Sequence, residues 1–373
     1  MLFTTSSSRR DRTDGVSVVV PVRNGERWLG AVLDAILTQR GRRPFEVIVV
    51  DDGSRDGSRA LLEARYPSPD VRVIDGPCRG AAAALNTGIR SARFPFIAQI
   101  DQDVVVAAGW LDTLLAAMAD DDVGAAQGYY ETDRQAPLTA RVMGLDLEQR
   151  YAAISGSETD HVCTGNVVYR AEALHAVGLF DENLGYGYDN DMSYRLARHG
   201  YRLRLCRDAR SRHHWRSGLL PYLIQQYGFG YGRVDVVVRH RSRFTGDAVS
   251  PADMMLHPLL MLAAASVMVV GMLSGHLLTA LAIAGLLVSG LVFERLIAGC
   301  RAAFDYRDAA PLAFPVLHIA RDATWAAAIV VWCVRRIAST PTQPAFSMRP
   351  RPSELRIADC GSRIVDRGLG IED

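Results

Sequence analysis

The chain has 373 residues, room for one large α/β domain with an appendix or for two ordinary domains. Its formal net charge is +1, so no overall field points to nucleic acid as a partner. All 42 basic residues are arginine, which excludes Schiff-base lysine chemistry and a P-loop lysine. Residues 1–14 are polar, lack the apolar core of a signal peptide and are expected to form a disordered leader. From Val16 the pattern alternates strand and helix. Strands are predicted at Val16–Val20, Phe45–Val50, Val71–Ile74 and Phe96–Ile100, as short β-branched or apolar runs bounded by turn residues. Helices are predicted at Arg27–Gln39, where Trp28, Leu29, Val32, Leu33 and Ile36 recur at helical spacing, through Leu61 and Leu62, and at Ala81–Ala92. Such alternation predicts an α/β fold with a mainly parallel sheet covered on both faces.

A further helical pattern runs from Trp110 to about Met118, and regularity weakens through Arg134–Ile154. Cys163–Arg170, Leu184–Leu196 and Arg210–Arg233 are polar, glycine-punctuated segments expected to build a site on the sheet, closing a domain over residues 15–245. Composition changes near Pro251, where a membrane region (246–337) is expected. Two spans, about 257–274 and 277–294, are nearly free of charge; crossing a bilayer takes about 20 residues, so the flanks must contribute. A third apolar stretch, about 311–334, is interrupted by Arg321 and Asp322 and is expected to be an interfacial amphipathic helix or a third membrane helix. Arginines cluster before the first span, after the second and in the tail (338–373), which the positive-inside rule assigns to the cytoplasm. The six cysteines show no CxxC spacing, so neither a zinc site nor a disulfide framework is implied.

Ligands of open parallel sheets bind beyond the carboxyl ends of the strands. There the first strand runs into Pro21-Val22-Arg23-Asn24, the second into Asp51-Asp52-Gly53-Ser54 and the fourth into Asp101-Gln102-Asp103. Residues i and i+2 of an extended segment project to one side, so Asp101 and Asp103 can share a hard divalent cation, Mn2+ or Mg2+, which would hold a diphosphate.

These segments, with Ala-Leu-Asn-Thr-Gly at 84–88, together resemble the family 2 glycosyltransferases, and succinoglycan-type exopolysaccharide glucosyltransferases among them, over about residues 16–240. The resemblance implies a GT-A nucleotide-diphospho-sugar transferase fold followed by C-terminal transmembrane helices. It also implies a nucleotide-sugar donor, UDP by default, and inversion at the anomeric carbon. Residues matching Pro21, Val22, Arg23, Asn24, Asp51 and Asp52 would cradle the nucleoside, Arg79 and Asn86 would lie near the nucleotide, and Asp101 and Asp103 would meet ribose, phosphate and metal. Relatives often carry a basic residue after the glycine matching Gly80, where this chain has Ala81 and Ala82, which leaves Arg79 as the local cation.

In Gly187-Tyr188-Asp189-Asn190-Asp191, the match to the family's Glu-Asp-x-Asp segment makes Asp189 the expected acceptor base and Asp191 its alternate, with Tyr188 where relatives have Glu. Either carboxylate could instead simply cap the following helix. Gly165 and Asn166 belong to a small-residue loop expected beside donor sugar and acceptor, or to a plain turn. His213 could complete the metal's ligands or touch diphosphate, or sit in an ordinary surface loop. Arg233 ends a Tyr-Gly-Arg segment that could approach phosphate or serve helix packing. The expected partners are a lipid-linked or membrane-associated glycan acceptor and the bilayer, with the catalytic domain at the cytoplasmic face of the inner or plasma membrane. A processive polysaccharide synthase is disfavoured by the missing Gln-x-x-Arg-Trp motif and the few spans. A sugar nucleotidyltransferase is disfavoured by the missing glycine-rich phosphate loop and lysine, and an inactive scaffold by the five retained aspartates.

Overall fold

The computed structural model describes residues 14–69 and 71–338, so the expected leader falls almost wholly, and the arginine-rich tail after its first residue, outside the described residues. β1 (Val16–Val22), α1 (Glu26–Leu37), β2 (Phe45–Asp51), α2 (Ser58–Arg65), β3 (Arg72–Asp75), α3 (Ala81–Ser91) and β4 (Phe96–Ile100) follow the predicted alternation to within a few residues. β1 pairs in parallel with β2 and with β4, and β2 pairs in parallel with β3. Beyond them come β5 (Val104–Val106), α4 (Trp110–Ala117), β6 (Val123–Glu131), α5 (Leu138–Ala153), β7 (Glu158–Thr159), β8 (Asn166–Arg170), α6 (Ala171–Ala176), α7 (Tyr188–Arg198) and β9 (Arg202–His213). The strands lie in the order β3-β2-β1-β4-β8-β6-β9-β5, with β7 against β9.

Alternating side chains of the buried strands serve opposite faces. Val18 and Val20 of β1 pack with Leu29, Leu33 and Ile36 of α1, whereas Val19 packs on the other face with Leu85 and Ile89 of α3 and Met192 and Leu196 of α7. A continuous β-branched run is therefore what this sheet requires, because neither face meets water.

Three helices are not legible as such, the short α6 and two longer ones. α5 lies inside the stretch that reads as irregular, because it is apolar on two sides. Leu147 and Tyr151 join the core under the sheet, while Val142, Met143 and Leu145 pack against later helices, so no single stripe emerges. α8 (Leu219–Arg239) contains the glycine-aromatic run. Its glycines admit close neighbours: Gly228 and Gly232 lie on Tyr186, and Gly230 lies on Trp325. A Cβ at Gly232 would sit 2.7 Å from the Cβ and from the carbonyl oxygen of Tyr186. Gly232→Ala should lower stability by about 1–3 kcal/mol through overpacking, seen as a lower melting temperature with donor affinity retained.

The chain ends in α9 (Ala252–Leu273), α10 (Leu277–Tyr306) and α11 (Phe314–Ile337), α11 being preceded by a 3-10 turn. All three segments are long and apolar enough to cross a membrane. α10 is longer than the expected second span, so Arg295 is no flanking loop residue. It is buried between helices and bonds Asp322 at 3.1 Å. α11 runs beside α8, where Tyr222 donates to the Leu317 carbonyl, Trp325 to Gln226 and Trp332 to Asp235. The charges at Arg321 and Asp322 that interrupt its apolar pattern are buried in this junction.

Candidate active site at the sheet edge

The carboxyl ends of β1, β2 and β4 open into a cavity of about 380 Å³. Of the residues expected to form a site, Pro21, Val22, Arg23, Asp52, Arg79, Asp101, Asp103, Asp189 and His213 line it. Gln102 ties two of these strand ends together: its side-chain amide accepts from the Arg23 N–H at 2.8 Å and donates to the Arg23 carbonyl at 3.2 Å. The Asp52 carboxylate accepts the Gly80 N–H at 2.8 Å at the start of α3, while its other oxygen is buried without a partner among the described residues. Burial pushes the Asp52 carboxyl up, against the backbone N–H groups of Gly80, Cys78 and Arg79 and the charge of Arg23.

β5 pairs antiparallel with β9, Val104 opposite His213, and this register brings a residue 110 positions away beside Asp103. His213 Nε2 lies 3.3 Å from Asp103 Oδ1, and the His214 N–H donates to the Asp103 carbonyl at 2.9 Å. The His214 ring stacks on Trp28, centroids 3.6 Å apart. Burial would raise the Asp103 carboxyl, but the charge and hydrogen bond of His213 together with the charge of Arg216 hold it low. Asp101 is pushed up to about 6, first by burial and then by the charge of Asp103, with His213 and Gln99 opposing. Asp101, Asp103 and His213 line this one cavity, and carboxylate oxygens are donors suited to Mn2+ or Mg2+. A side chain on Gly165 is excluded by φ +90 and by Asp101, whose oxygen lies 2.5 Å from where a Cβ would be.

Asp189 sits in the first turn of α7 and is about a quarter exposed. His161 Nε2 is 3.7 Å from it, and His161 Nδ1 is 3.6 Å from Asp247. Burial alone would lower the His161 pKa; Asp247 and Asp189 raise it. His161, Cys163 and Asp189 also bring possible metal-ligand atoms within 4.8 Å of one another. Burial and the Asp189 charge push the Cys163 thiol up to about 12.

Seven expected site residues do not line the cavity. Asp191 is buried, accepting from Arg195 Nε and meeting His240 Nε2, both at 2.8 Å, so it braces α7 while Asp189 faces the cavity. Arg233 is buried on the far side, bonded to Asp247 at 3.1 Å and Ser250 at 2.7 Å, and is corrected from a phosphate contact to a packing ion pair. Asn86 clamps a loop through the Phe180 backbone and Glu182, and Asn166 accepts from Trp110 Nε1 at 2.5 Å. Asn24 and Asp51 accept the N–H groups of Arg55 and Ser54, shaping turns behind the rim. Gly165 stands behind Asp101. Trp215 and Arg216, beside His213, line the cavity too, and Tyr130 lines it with no signal in its local sequence.

Residues 17–178 match the family described as Glycosyl transferase family 2. The chain carries a family 2 glycosyltransferase domain. Its 249-residue alignment with the pre-mycofactocin glycosyltransferase of Mycobacterium tuberculosis is 32% identical and covers 64% of this chain and 51% of that protein. The chain thus spans about half the length of that curated relative. The succinoglycan biosynthesis protein ExoA of Rhizobium meliloti is 27% identical over 60% of this chain and 71% of its own. In three dimensions the glycosyltransferase domain and its appendix are similar to the mannosyltransferase PcManGT from Pyrobaculum calidifontis, solved in complex with GDP-Man and Mn2+. That likeness has a TM-score of 0.57 at 21% identity, over 85% of this chain and 87% of the other, and it establishes the GT-A fold.

Proposed function

We propose that this chain is a non-processive, inverting glycosyltransferase that moves a sugar from a nucleotide-diphosphate donor, UDP by default, to the hydroxyl of a membrane-associated acceptor. The supporting observation is that Asp189 and the group Asp101, Asp103 and His213 line one cavity at the edge of the glycosyltransferase domain. Pro21, Val22, Arg23 and Asp52 hold the nucleoside, and Arg79 stands near the diphosphate. Asp101, Asp103 and His213 would hold Mn2+ or Mg2+, whose positive charge offsets that of the leaving nucleoside diphosphate. The acceptor oxygen bonds to the anomeric carbon as the bond from that carbon to the diphosphate oxygen breaks. Asp189 takes the acceptor proton, and no covalent sugar–enzyme intermediate forms. The enzyme works at the inner or plasma membrane, its catalytic domain on the cytoplasmic side, in exopolysaccharide, glycolipid or other envelope glycan synthesis, a reading supported by three C-terminal helices long and apolar enough to cross a bilayer.

A screen of nucleotide sugars with membranes and manganese tests this reading, which predicts metal-dependent transfer of one sugar into an acceptor fraction. Donor hydrolysis or binding that ignores metal and the Asp103→Ala change would contradict it.

The Asp101 carboxyl adds a pH signature. Its pKa stands at about 6 against an ordinary 3.8, so folding favours its protonated form. That contribution to stability is complete below the ordinary value and is lost as pH rises through about 6. A cation binds the ionised form and offsets the loss. The rise in melting temperature on adding manganese should therefore be larger at pH 7.5 than at pH 5, and Asp101→Asn should remove the difference.

A further inference from the structure

A second chamber, of about 180 Å³, adjoins the sheet-edge cavity. The two share Leu147, Cys163, Gly187, Asp189, Trp215 and Phe229 as walls, so Asp189 stands at the opening between them. The new chamber runs between α5, α8 and α11 and reaches Met254 at the start of α9.

Its arginines are already paired. Arg150 bonds Asp146 at 3.0 Å; Arg321 lies 3.6 Å from Asp146 and 3.2 Å from Asp322; Arg233 pairs with Asp247 at 3.1 Å. Burial would raise the Asp146 carboxyl, but Arg150 and the charges around it pull it well below the usual carboxylate range. Such a network has no strong need of a charged ligand. What it leaves open are hydrogen-bonding positions on buried imidazoles. Nδ1 of His318 has no hydrogen-bond partner among the described residues, and the ring nitrogens of His161 make none closer than their 3.7 and 3.6 Å approaches to Asp189 and Asp247, although these side chains are only 3% and 4% exposed. Buried polar atoms are almost always satisfied, so an absent ligand or water is indicated. Imidazole nitrogens pair readily with hydroxyls. Between them the walls carry aromatic faces, Trp215, Tyr222, Phe229 and Trp325. Hydroxyls around an edge and apolar C–H faces are the surface of a sugar ring.

We propose that this chamber binds the acceptor, and that the acceptor is an uncharged glycoside on an apolar tail. The sugar ring lies between His161, His318 and the aromatic walls and presents a hydroxyl to Asp189. Its tail leaves past Met254 along the apolar helices. This deepens the function proposed above and rests on Asp189 being the acceptor base.

The test uses the full chain in lipid nanodiscs and a panel of 8-bromooctyl β-glucoside, galactoside and mannoside, whose bromine quenches tryptophan fluorescence. At least one should quench saturably, with most of the signal lost in Trp325→Phe. His318→Phe should weaken binding about tenfold, the loss of one buried hydrogen bond, while His318→Asn keeps it. Met254→Phe, which narrows the exit and also removes the 3.9 Å contact between its sulfur and Arg150, should weaken it as well. Binding of UDP with manganese should be unchanged in all the variants. Non-saturating quenching alone, equal or tighter binding of 8-bromooctyl phosphate, or indifference to both His318→Phe and Met254→Phe would overturn the proposal. Saturable glycoside binding without any nucleotide binding would instead sink the donor reading and leave the chamber standing.

Discussion

Asp189→Asn should reduce sugar transfer by about 10²- to 10⁴-fold, the range for losing a general base, while nucleotide-sugar affinity stays near that of the unaltered enzyme. The substitution is nearly isosteric. Among the described residues Asp189 makes no ion pair closer than the 3.7 Å to His161, and its Oδ1 accepts only the N–H of Asn190 within the same turn, so the fold should persist. Asp191→Asn should do the opposite. Its carboxylate is buried between Arg195 and His240, and breaking such a pair costs about 3–5 kcal/mol. A fall in melting temperature should accompany whatever activity it loses. Transfer and thermal melting measured together on the two variants separate chemistry from bracing; equal melting losses in both, with activity following stability, would contradict the assignment.

The second large effect is expected at Asp103. Asp103→Asn removes the carboxylate that His213 and Arg216 help to hold ionised, one of the two carboxylates proposed to hold a divalent cation. Metal-dependent donor binding should weaken by about 10³-fold, as expected when several kcal/mol of cation-assisted charge stabilisation is lost. Titrating manganese against a fixed nucleotide sugar reads this directly. His213→Asn should give a smaller loss in the same direction, because a neutral amide keeps one donor atom but no longer supports the ionised carboxylate. Unchanged metal dependence in Asp103→Asn would remove that wall of the cavity from the account.

The ends of β1, β2 and β4 were legible because their chemistry is local: apolar runs stop, and acidic or proline-containing segments follow at the sheet's mouth. What was hidden depends on partners distant in sequence. His213 could be read as a surface loop until the β5–β9 pairing set it beside Asp103. Asp189 and Asp191 are two residues apart at the start of one helix, and only the burial of Asp191 against His240, 49 positions on, distinguishes their work. Arg233 left two readings open in the sequence, a phosphate contact or helix packing. The glycines of its segment let α8 pack on Tyr186 and Trp325, and they turn the arginine inward to Asp247. α5 escaped notice for the complementary reason, since a helix packed on two sides loses the one-sided stripe that marks an amphipathic one. The same helix carries Asp146 and Arg150, so the second chamber was hidden with it.

The most direct test of the central claim is to follow radiolabelled sugar from a panel of nucleotide sugars into the lipid fraction of membranes carrying the full chain, with and without manganese. The account predicts that one donor labels that fraction, only with metal present, and that Asp189→Asn abolishes labelling while the donor still binds. Labelling that persists without metal or in Asp189→Asn, or a complete failure of every nucleotide sugar to bind, would contradict it.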